Sequence, residues 1–419
     1  MSIEHLVARL SMVAIVTVGV ASCQPSVGSP TPSSAPPVNA TDGAGTPSPL
    51  PVETAPPATP TGSPGAAGIT WQRLQDVPDF GIVTDVAGAG EDAYVTGYSA
   101  SDGAATGGVW RTDGRKWDAL DGDFDGYAVW DVVAGPADPI VLGDRYHRSR
   151  LIPEDEQGTK VWVTGPGAGR LEQVELSPGT FAPVDSPQIE VVEGTPGGLL
   201  AYGHDGLAAL EWRASPDGHD WVRRTLPDAS LHGARFTGLV PRANGMILSG
   251  SVPAAPTASA TEGAIWRLDG SRWVRVSLPR GADAPDGRIT VVGTTHGGVV
   301  GDVEESCSSA GGCQATAMLW SPDGASWEVR ELVPNAFDAR AVTDADRVLV
   351  LVARQDRTVA VFEATSNSWT EIEQSFQDPV DAAGWTYAGF ENVVALEAGL
   401  LCVGCGPAGS TWLGTWRSR

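Results

Sequence analysis

The chain has 419 residues, with 27 Lys and Arg against 51 Asp and Glu, for a formal net charge of −24. So acidic a balance excludes nucleic acid as a partner, and excludes adhesion to anionic lipid through the folded part, because the long-range field repels both. The six histidines include no His/Glu spacing suited to zinc, and no Gly-x-Ser-x-Gly elbow or phosphate loop occurs.

Residues 1–23 read as a secretion signal. An apolar run from Leu10 to Val20 follows Arg9 and is too short to span a bilayer comfortably. Its end, Val20-Ala21-Ser22-Cys23, resembles the lipobox of bacterial lipoproteins. That resemblance implies cleavage before Cys23, lipidation of its thiol, and a place on the cell membrane facing outside the cytoplasm. Several acyl chains together hold a membrane stably. Residues 24–67 are Pro, Ser, Thr, Ala and Gly with almost no apolar bulk, so they bury no core and are expected to be disordered. As a flexible coil they would reach roughly 35–40 Å, a stalk for the folded part of the chain.

Residues 68–419 are read as one domain. It opens with GITWQRL (Gly68 to Leu74), an isolated strand. A repeat comes next, best seen in MLWSPDGASWEVREL (Met318 to Leu332). Here a strand ends in Trp320, Ser321-Pro322-Asp323-Gly324 supplies turn chemistry, and Trp327 opens a second strand. The same hairpin recurs as GVWRTDGRKWDAL (Trp110, Asp113, Trp117), LEWRASPDGHDW (Trp212, Asp217, Trp221) and AIWRLDGSRWVRV (Trp266, Asp269, Trp273). Worn copies carry Trp162 and Phe362. The final one, STWLGTWRSR, is aligned on Trp416.

The spacings from Trp110 through Trp162, Trp212, Trp266, Trp320 and Phe362 to Trp416 are 52, 50, 54, 54, 42 and 54 residues. Two further strand-like runs precede each hairpin. Four strands per copy and seven copies predict an all-β, seven-bladed β-propeller. The last copy lacks its outer strand and Gly68 to Leu74 lacks a blade. The N-terminal strand is therefore expected to complete the last blade, with Trp71 as partner of Trp416, closing the ring and removing two sheet edges.

The pattern SxDGxxW at Ser215–Trp221 and Ser321–Trp327 resembles the Asp-box (BNR repeat) of sialidase-like propellers, one residue shorter between Asp and Trp. The resemblance implies a structural role, in which the Asp ties the turn and the Trp packs, for Asp113, Asp217, Asp269 and Asp323 with Trp117, Trp221, Trp273 and Trp327. Sialidase activity does not come with it. That would imply an arginine triad, a Tyr/Glu pair and an acidic donor, and no matching context surrounds the tyrosines.

Asp121, Asp123 and Asp125 match the first half of a DxDxDG calcium loop, but the ninth and twelfth positions are Val129 and Val132. An acidic turn is the simpler reading, with calcium as the one weak cofactor candidate and no other expected. Cys307, Cys313, Cys402 and Cys405 are expected to form local disulfides in an exported protein, Cys402 and Cys405 not being placed at a helix start as a redox pair would be. His204 and His296 read as lone loop or strand-end histidines.

Asp-Gly turns should line one face of the ring. The opposite face carries the longer loops, and loops on a rigid scaffold carry recognition. Asp144, Tyr146, His147, Arg148, Arg150, Asp302 and Glu304 are therefore the candidate binding residues. The function expected is a monomeric, lipid-anchored propeller that binds an unidentified protein or carbohydrate. The alternative is a glycan-acting hydrolase, and the two diverge on whether three or more carboxylates, or an arginine cluster, meet in the central pocket.

Overall fold

The computed structural model describes residues 68–101, 104–134, 138–146, 158–165, 169–177, 180–181, 188–195, 197–243, 245–254, 260–279, 287–293, 298–304, 315–330, 336–344, 347–354, 358–364, 369–377, 392–405 and 410–417. All lie within one unit, Thr59–Arg419. The signal, Cys23, the linker, His147, Arg148, Arg150, His296, Cys307 and Cys313 lie outside the described residues, as do the side chains of Asp302 and Glu304.

Strand β1 (Gly68–Arg73) comes first. Sheet 1 is β2 (Ile82–Ala89), β3 (Asp92–Ser101), β4 (Ala104–Thr112) and β5 (Trp117–Ala119). After β6 (Asp121–Gly122), sheet 2 takes β7 (Tyr127–Ala134), β8 (Pro139–Arg145), β9 (Thr159–Thr164) and β10 (Arg170–Gln173). Sheet 3 is β11 (Gln188–Thr195), β12 (Gly198–Asp205), β13 (Ala208–Ala214) and β14 (Trp221–Thr225). Sheet 4 is β15 (Arg235–Arg242), β16 (Gly245–Pro253), β17 (Thr261–Asp269) and β18 (Arg272–Arg275). Sheet 5 is β19 (Arg288–Gly293), β20 (Val299–Glu304), β21 (Ala315–Ser321) and β22 (Glu328–Arg330). Sheet 6 is β23 (Ala336–Asp344), β24 (Arg347–Arg354), β25 (Val359–Ala364) and β26 (Trp369–Glu371). After β27 (Glu373–Phe376), sheet 7 takes β28 (Val393–Leu396), β29 (Gly399–Cys402) and β30 (Trp412–Arg417).

Each sheet is an antiparallel meander. The first strands pack against one another in sequence, β2 on β7, β7 on β11, then β15, β19, β23 and β28, and β28 returns to β2. β1 lies in sheet 7, antiparallel to β30, with Ile69 opposite Trp416 and Trp71 opposite Gly414. Its other edge is covered by β27, which runs parallel to it. The terminal strand is thus held on both sides and exposes no free edge. β6 caps sheet 2 in the same parallel manner, Asp121 pairing with Arg170.

The register corrects the alignment of the last copy. Gly399 opens β29 as Gly198 opens β12, and the pairs Ala201–Trp212 and Cys402–Trp412 then correspond. Trp412 is therefore the repeat tryptophan. It is 1% exposed and donates its indole N–H to the Cys405 carbonyl at 3.1 Å, as Trp212 does to Thr180 at 2.9 Å and Trp266 to Ser230 at 3.0 Å. Trp416 is half-buried, with the Arg347 guanidinium 5.0 Å from its ring centre. STWLGTW offers two tryptophans four residues apart, and only strand pairing tells them apart.

Apolar side chains fill the space between neighbouring sheets. A phenylalanine arriving from the inter-sheet connection wedges against the hairpin tryptophans. Phe80 lies 4.9 Å from Trp110 and 5.2 Å from Trp117, and Phe181 lies 5.2 Å from Trp221. Cys402 and Cys405 form a buried disulfide at the end of β29.

A candidate ligand cavity in the ring of first strands

The first strands of five sheets carry a β-bulge at the same place, at Thr84, Trp130, Glu190, Thr237 and Phe337. A bulge inserts one residue and re-aims the side chains around it. Three of the inserted residues reach across to the next sheet. The Thr84 hydroxyl donates to the Val129 carbonyl at 2.8 Å, Glu190 accepts from the Phe236 N–H at 2.9 Å, and the Thr237 hydroxyl donates to the Ile289 carbonyl. The residue just after the bulge lines the interior of the ring, and in sheets 1 and 2 that residue is Asp85 and Asp131.

These two carboxyl groups lie against each other and are hydrogen-bonded. The Val132 N–H also donates to Asp85 Oδ2 at 3.0 Å. Glu193, further along β11, is the third carboxyl, and the Arg340 guanidinium of β23 acts on Asp85 across the ring. All three carboxyls line a cavity of about 740 Å³. Its walls come from β2, β7 and β11, with Thr343 from β23 and Val394 and Ala395 from β28. Three carboxylates therefore meet in the central pocket.

Each acid keeps some contact with water in the cavity while protein encloses it on the remaining sides, so its charged form is poorly solvated. Burial raises Asp85 above the ordinary carboxylate value. Asp131 rises well above it, through burial first and then through the charge of Asp85 and the hydrogen bond to it. Burial and the field of Asp85 together bring Glu193 to about 7. Two adjoining carboxyls cannot both ionise cheaply, and the stronger upward shift falls on Asp131.

The cavity reaches the side of the first-to-second strand turns, since Thr195, Gly198 and Pro216 contribute to it. In a four-stranded meander those turns share an end with the Asp-Gly turns. The loop residues singled out in the sequence lie at the other end. Asp144, at the end of β8, faces the Thr159 hydroxyl and the Trp130 indole, with its pKa raised by the protein packed around it. Tyr146 stacks at 5.8 Å on Tyr98. Neither lines the cavity. Asp302 and Glu304 lie in β20, opposite Thr290 and Arg288.

The Asp-Gly residues tie their turns. Asp113 accepts the N–H groups of Arg115 at 2.8 Å and Lys116 at 2.9 Å, and Asp323 accepts those of Ala325 at 2.8 Å and Ser326 at 2.9 Å. These bonds to the charged form hold both carboxyls below the ordinary value. Asp217 accepts from the His219 N–H at 3.3 Å and is lowered chiefly by the Ser215 hydroxyl. Gly218 and Gly324 both have φ of +74°, and a Cβ there would strike Val163 or Ile247 of the preceding sheet. The indoles of Trp221 and Trp327 donate to the Gly218 and Gly324 carbonyls at 2.8 and 3.2 Å. Trp273 is buried and Trp117 half-buried. Asp269 departs from the pattern. It pairs with Arg272 across a two-residue turn, with no room for the longer Asp-box loop.

Asp121, Asp123 and Asp125 are exposed around the buried Phe124. Asp121 lies 3.9 Å from Arg170, and Asp125 accepts from Thr106 at 3.4 Å. Among the described residues no group of three His, Cys, Asp or Glu could hold a metal. His204 is buried beside Glu190, at 3.3 Å.

No protein-family model matches the sequence, and no curated protein matches it. Solved structures do. The β-propeller domain of the trilobed protease from Pyrococcus furiosus, described as having an open velcro topology, aligns over 81% of this chain and 96% of its own, at 9% identity and a TM-score of 0.50. The chain folds as a β-propeller. The GH74 xyloglucanase from Xanthomonas campestris aligns over 82% of this chain and 53% of its own, at 16% identity and a TM-score of 0.51. Trypanosoma rangeli sialidase aligns over 69% and 53%, at 12% identity and a TM-score of 0.40. The propeller thus spans about half the length of the xyloglucanase and sialidase chains.

Asp85, Asp131 and Glu193 were missed in the sequence. A signal was present: Thr84-Asp85-Val86 and Trp130-Asp131-Val132 put an acid at the same repeat position, inside an otherwise apolar strand.

Proposed function

We propose that this chain is a seven-bladed β-propeller exported from the cytoplasm, tethered through lipid on Cys23 by the linker of residues 24–67, and that it acts as a binding module for a protein or carbohydrate. The observation that carries the binding role is the cavity of about 740 Å³ inside the ring of first strands, within the usual size range of ligand sites. The closed circuit of first strands and the seven sheets support the blade number. The lipobox-like end of the signal supports the anchor. The binding role is tested by screening the full chain on a glycan array and on immobilised envelope proteins, with Asp85→Asn and Glu193→Gln in parallel. Ligand retention that both substitutions leave untouched removes the cavity from the function. The anchor is tested by Cys23→Ser, which should move the protein from the membrane fraction to the soluble one and end its labelling with palmitate.

One observation favours a hydrolase as second reading. A carboxyl that titrates near 7 facing an ionised one is the pairing that glycoside hydrolysis uses. Asp85 and Asp131 touch and leave no space for a sugar between them, so the acid would be Glu193 and the base Asp85. Turnover of fluorogenic glycosides by the full chain, abolished by Glu193→Gln, decides for this reading.

A further inference from the structure

The other buried carboxylates among the described residues are matched, Glu190 of the cavity wall included. Glu211, 1% exposed, accepts from the Tyr202 hydroxyl at 2.8 Å and from Arg213 and Arg224 at 2.6 and 2.9 Å. Glu190 has the Phe236 N–H at 2.9 Å, His204 at 3.3 Å and Arg235 at 3.8 Å. Asp344 pairs with Arg347. Two further clefts among the described residues are matched as well, with Arg242 facing Asp323 in one and Arg111 bonded to Asp92 beside the other.

Glu193 breaks this rule. Protein encloses it on nearly every side, it points into the cavity, and neither oxygen meets a hydrogen-bond donor among the described residues. An enclosed carboxylate without donors is costly, and a partner that brings donors and positive charge recovers that cost. The Asp85–Asp131 pair shares a hydrogen bond, and Arg340 offsets the charge of Asp85. Glu193 is left as the group that calls for a counter-charge. Around it Val132, Val133, Val192 and Leu199 border the cavity while their side chains are buried in the cores between sheets, so polar groups and main chain make up much of the lining.

We propose that the cavity takes the ammonium or guanidinium end of a small molecule, seated on Glu193 beside the Asp85–Asp131 pair. This rests on the reading of the cavity as a binding site and gives the cavity itself a small cationic ligand besides the protein or carbohydrate proposed for the module. Seating the cation requires ionised Glu193, so uptake expels its proton where that proton is present. The charged groups facing Glu193 are Asp85 of β2, Asp131 of β7 and, across the ring, Arg340 of β23, with Glu190 on its own strand. Of these, the charge of Asp85 acts to raise Glu193, and Asp131 is itself pushed well above the ordinary carboxylate value by burial and by Asp85. Affinity should therefore fall below pH 7, approaching tenfold per unit, and level off above pH 8.

The test is calorimetry on the full chain with hexylamine, agmatine, neutral hexan-1-ol and calcium chloride, at pH 6, 7 and 8 and in two buffers of different ionisation enthalpy. The expected result is binding of the two cations with release of up to one proton at pH 6. Hexan-1-ol should bind at least tenfold more weakly. Glu193→Gln should abolish amine binding while its melting remains cooperative, and Glu328→Gln, an exposed acid of sheet 5, should leave it unchanged. Equal binding of hexylamine and hexan-1-ol, amine binding that survives Glu193→Gln, or a response to calcium alone overturns the inference. If the cavity variants still alter ligand retention in the glycan and protein screen, the binding-site reading then stands with a different ligand. Silence in both assays removes the two together.

Discussion

The Val132 N–H donates to Asp85 Oδ2 at 3.0 Å, so the main chain next to Asp131 holds the carboxyl that Asp131 must face. That bond lowers Asp85 against the burial that raises it, while Asp131 is raised further, by burial and by the charge of Asp85. A bulge in each of two neighbouring strands therefore creates a paired-acid site and sets which acid is the harder to ionise.

Glu193 makes stability depend on pH. Its folded pKa of about 7 lies above the value of 4.5 expected for an exposed glutamate. Below pH 4.5 both states are protonated and nothing is lost; as pH rises toward 7 the unfolded chain sheds a proton that the folded chain retains, so stability falls, and above 7 the loss is complete. Glu193→Gln should stabilise the protein by about 3 kcal/mol at most at pH 8 and be nearly neutral at pH 4. Urea melts at the two values measure this; an equal effect at both would refute it.

Asp131→Asn keeps the shape of the pair and removes one of the two adjoining carboxyls. Since Asp131 is raised well above the ordinary value, chiefly by burial, the substitution should raise the melting temperature at pH 7 and have little effect near pH 3.5. Asp85→Asn should help less, because it exchanges a carboxylate acceptor for a weaker one at the Val132 N–H. Differential scanning calorimetry of the two variants compares them directly.

The two C-terminal tryptophans should behave differently. Trp412 is fully buried and Trp416 half-buried against Arg347. Trp412→Ala should cost about 3–5 kcal/mol, and Trp416→Ala about 1 kcal/mol for a partly exposed cation–π contact. Denaturant titration distinguishes the two positions, and reversed magnitudes would contradict the register of β30.

β1 is held between β27 and β30, and its Trp71 is wholly buried, with the indole donating to Gln374 at 2.8 Å. Deleting residues 68–73 should bare two strand edges and make the protein prone to aggregate. Trp71→Ala should weaken the closure without removing the strand, costing about 3–5 kcal/mol. Size-exclusion chromatography and melting monitor both.

The disulfide between Cys402 and Cys405 closes a very short loop, so its chain-entropy contribution is about 2 kcal/mol. Paired serine substitution should lower stability by that amount and leave ligand retention intact. A larger loss, read by denaturant titration, would mean that the buried thiols also pack the end of β29.

The order of residues was enough to read the all-β repeat, the hairpin built on Trp, Asp and Gly, and the union of Gly68–Leu74 with the last sheet. Those features are local: turn chemistry sits within a few residues, and a missing strand at one end shows as a spare strand at the other. The same reading placed Cys402 and Cys405 in one local bridge. Strand pairing was needed to establish that Trp412 rather than Trp416 holds the repeat position, because two aromatics four residues apart differ only in the partners they meet. The folded ring was needed to show that Asp85, Asp131 and Glu193 meet. They lie on three sheets far apart in the chain, and although an acid recurs at one repeat position in β2 and β7, only the folded ring and the bulges that turn these side chains inward bring them to one cavity with Glu193.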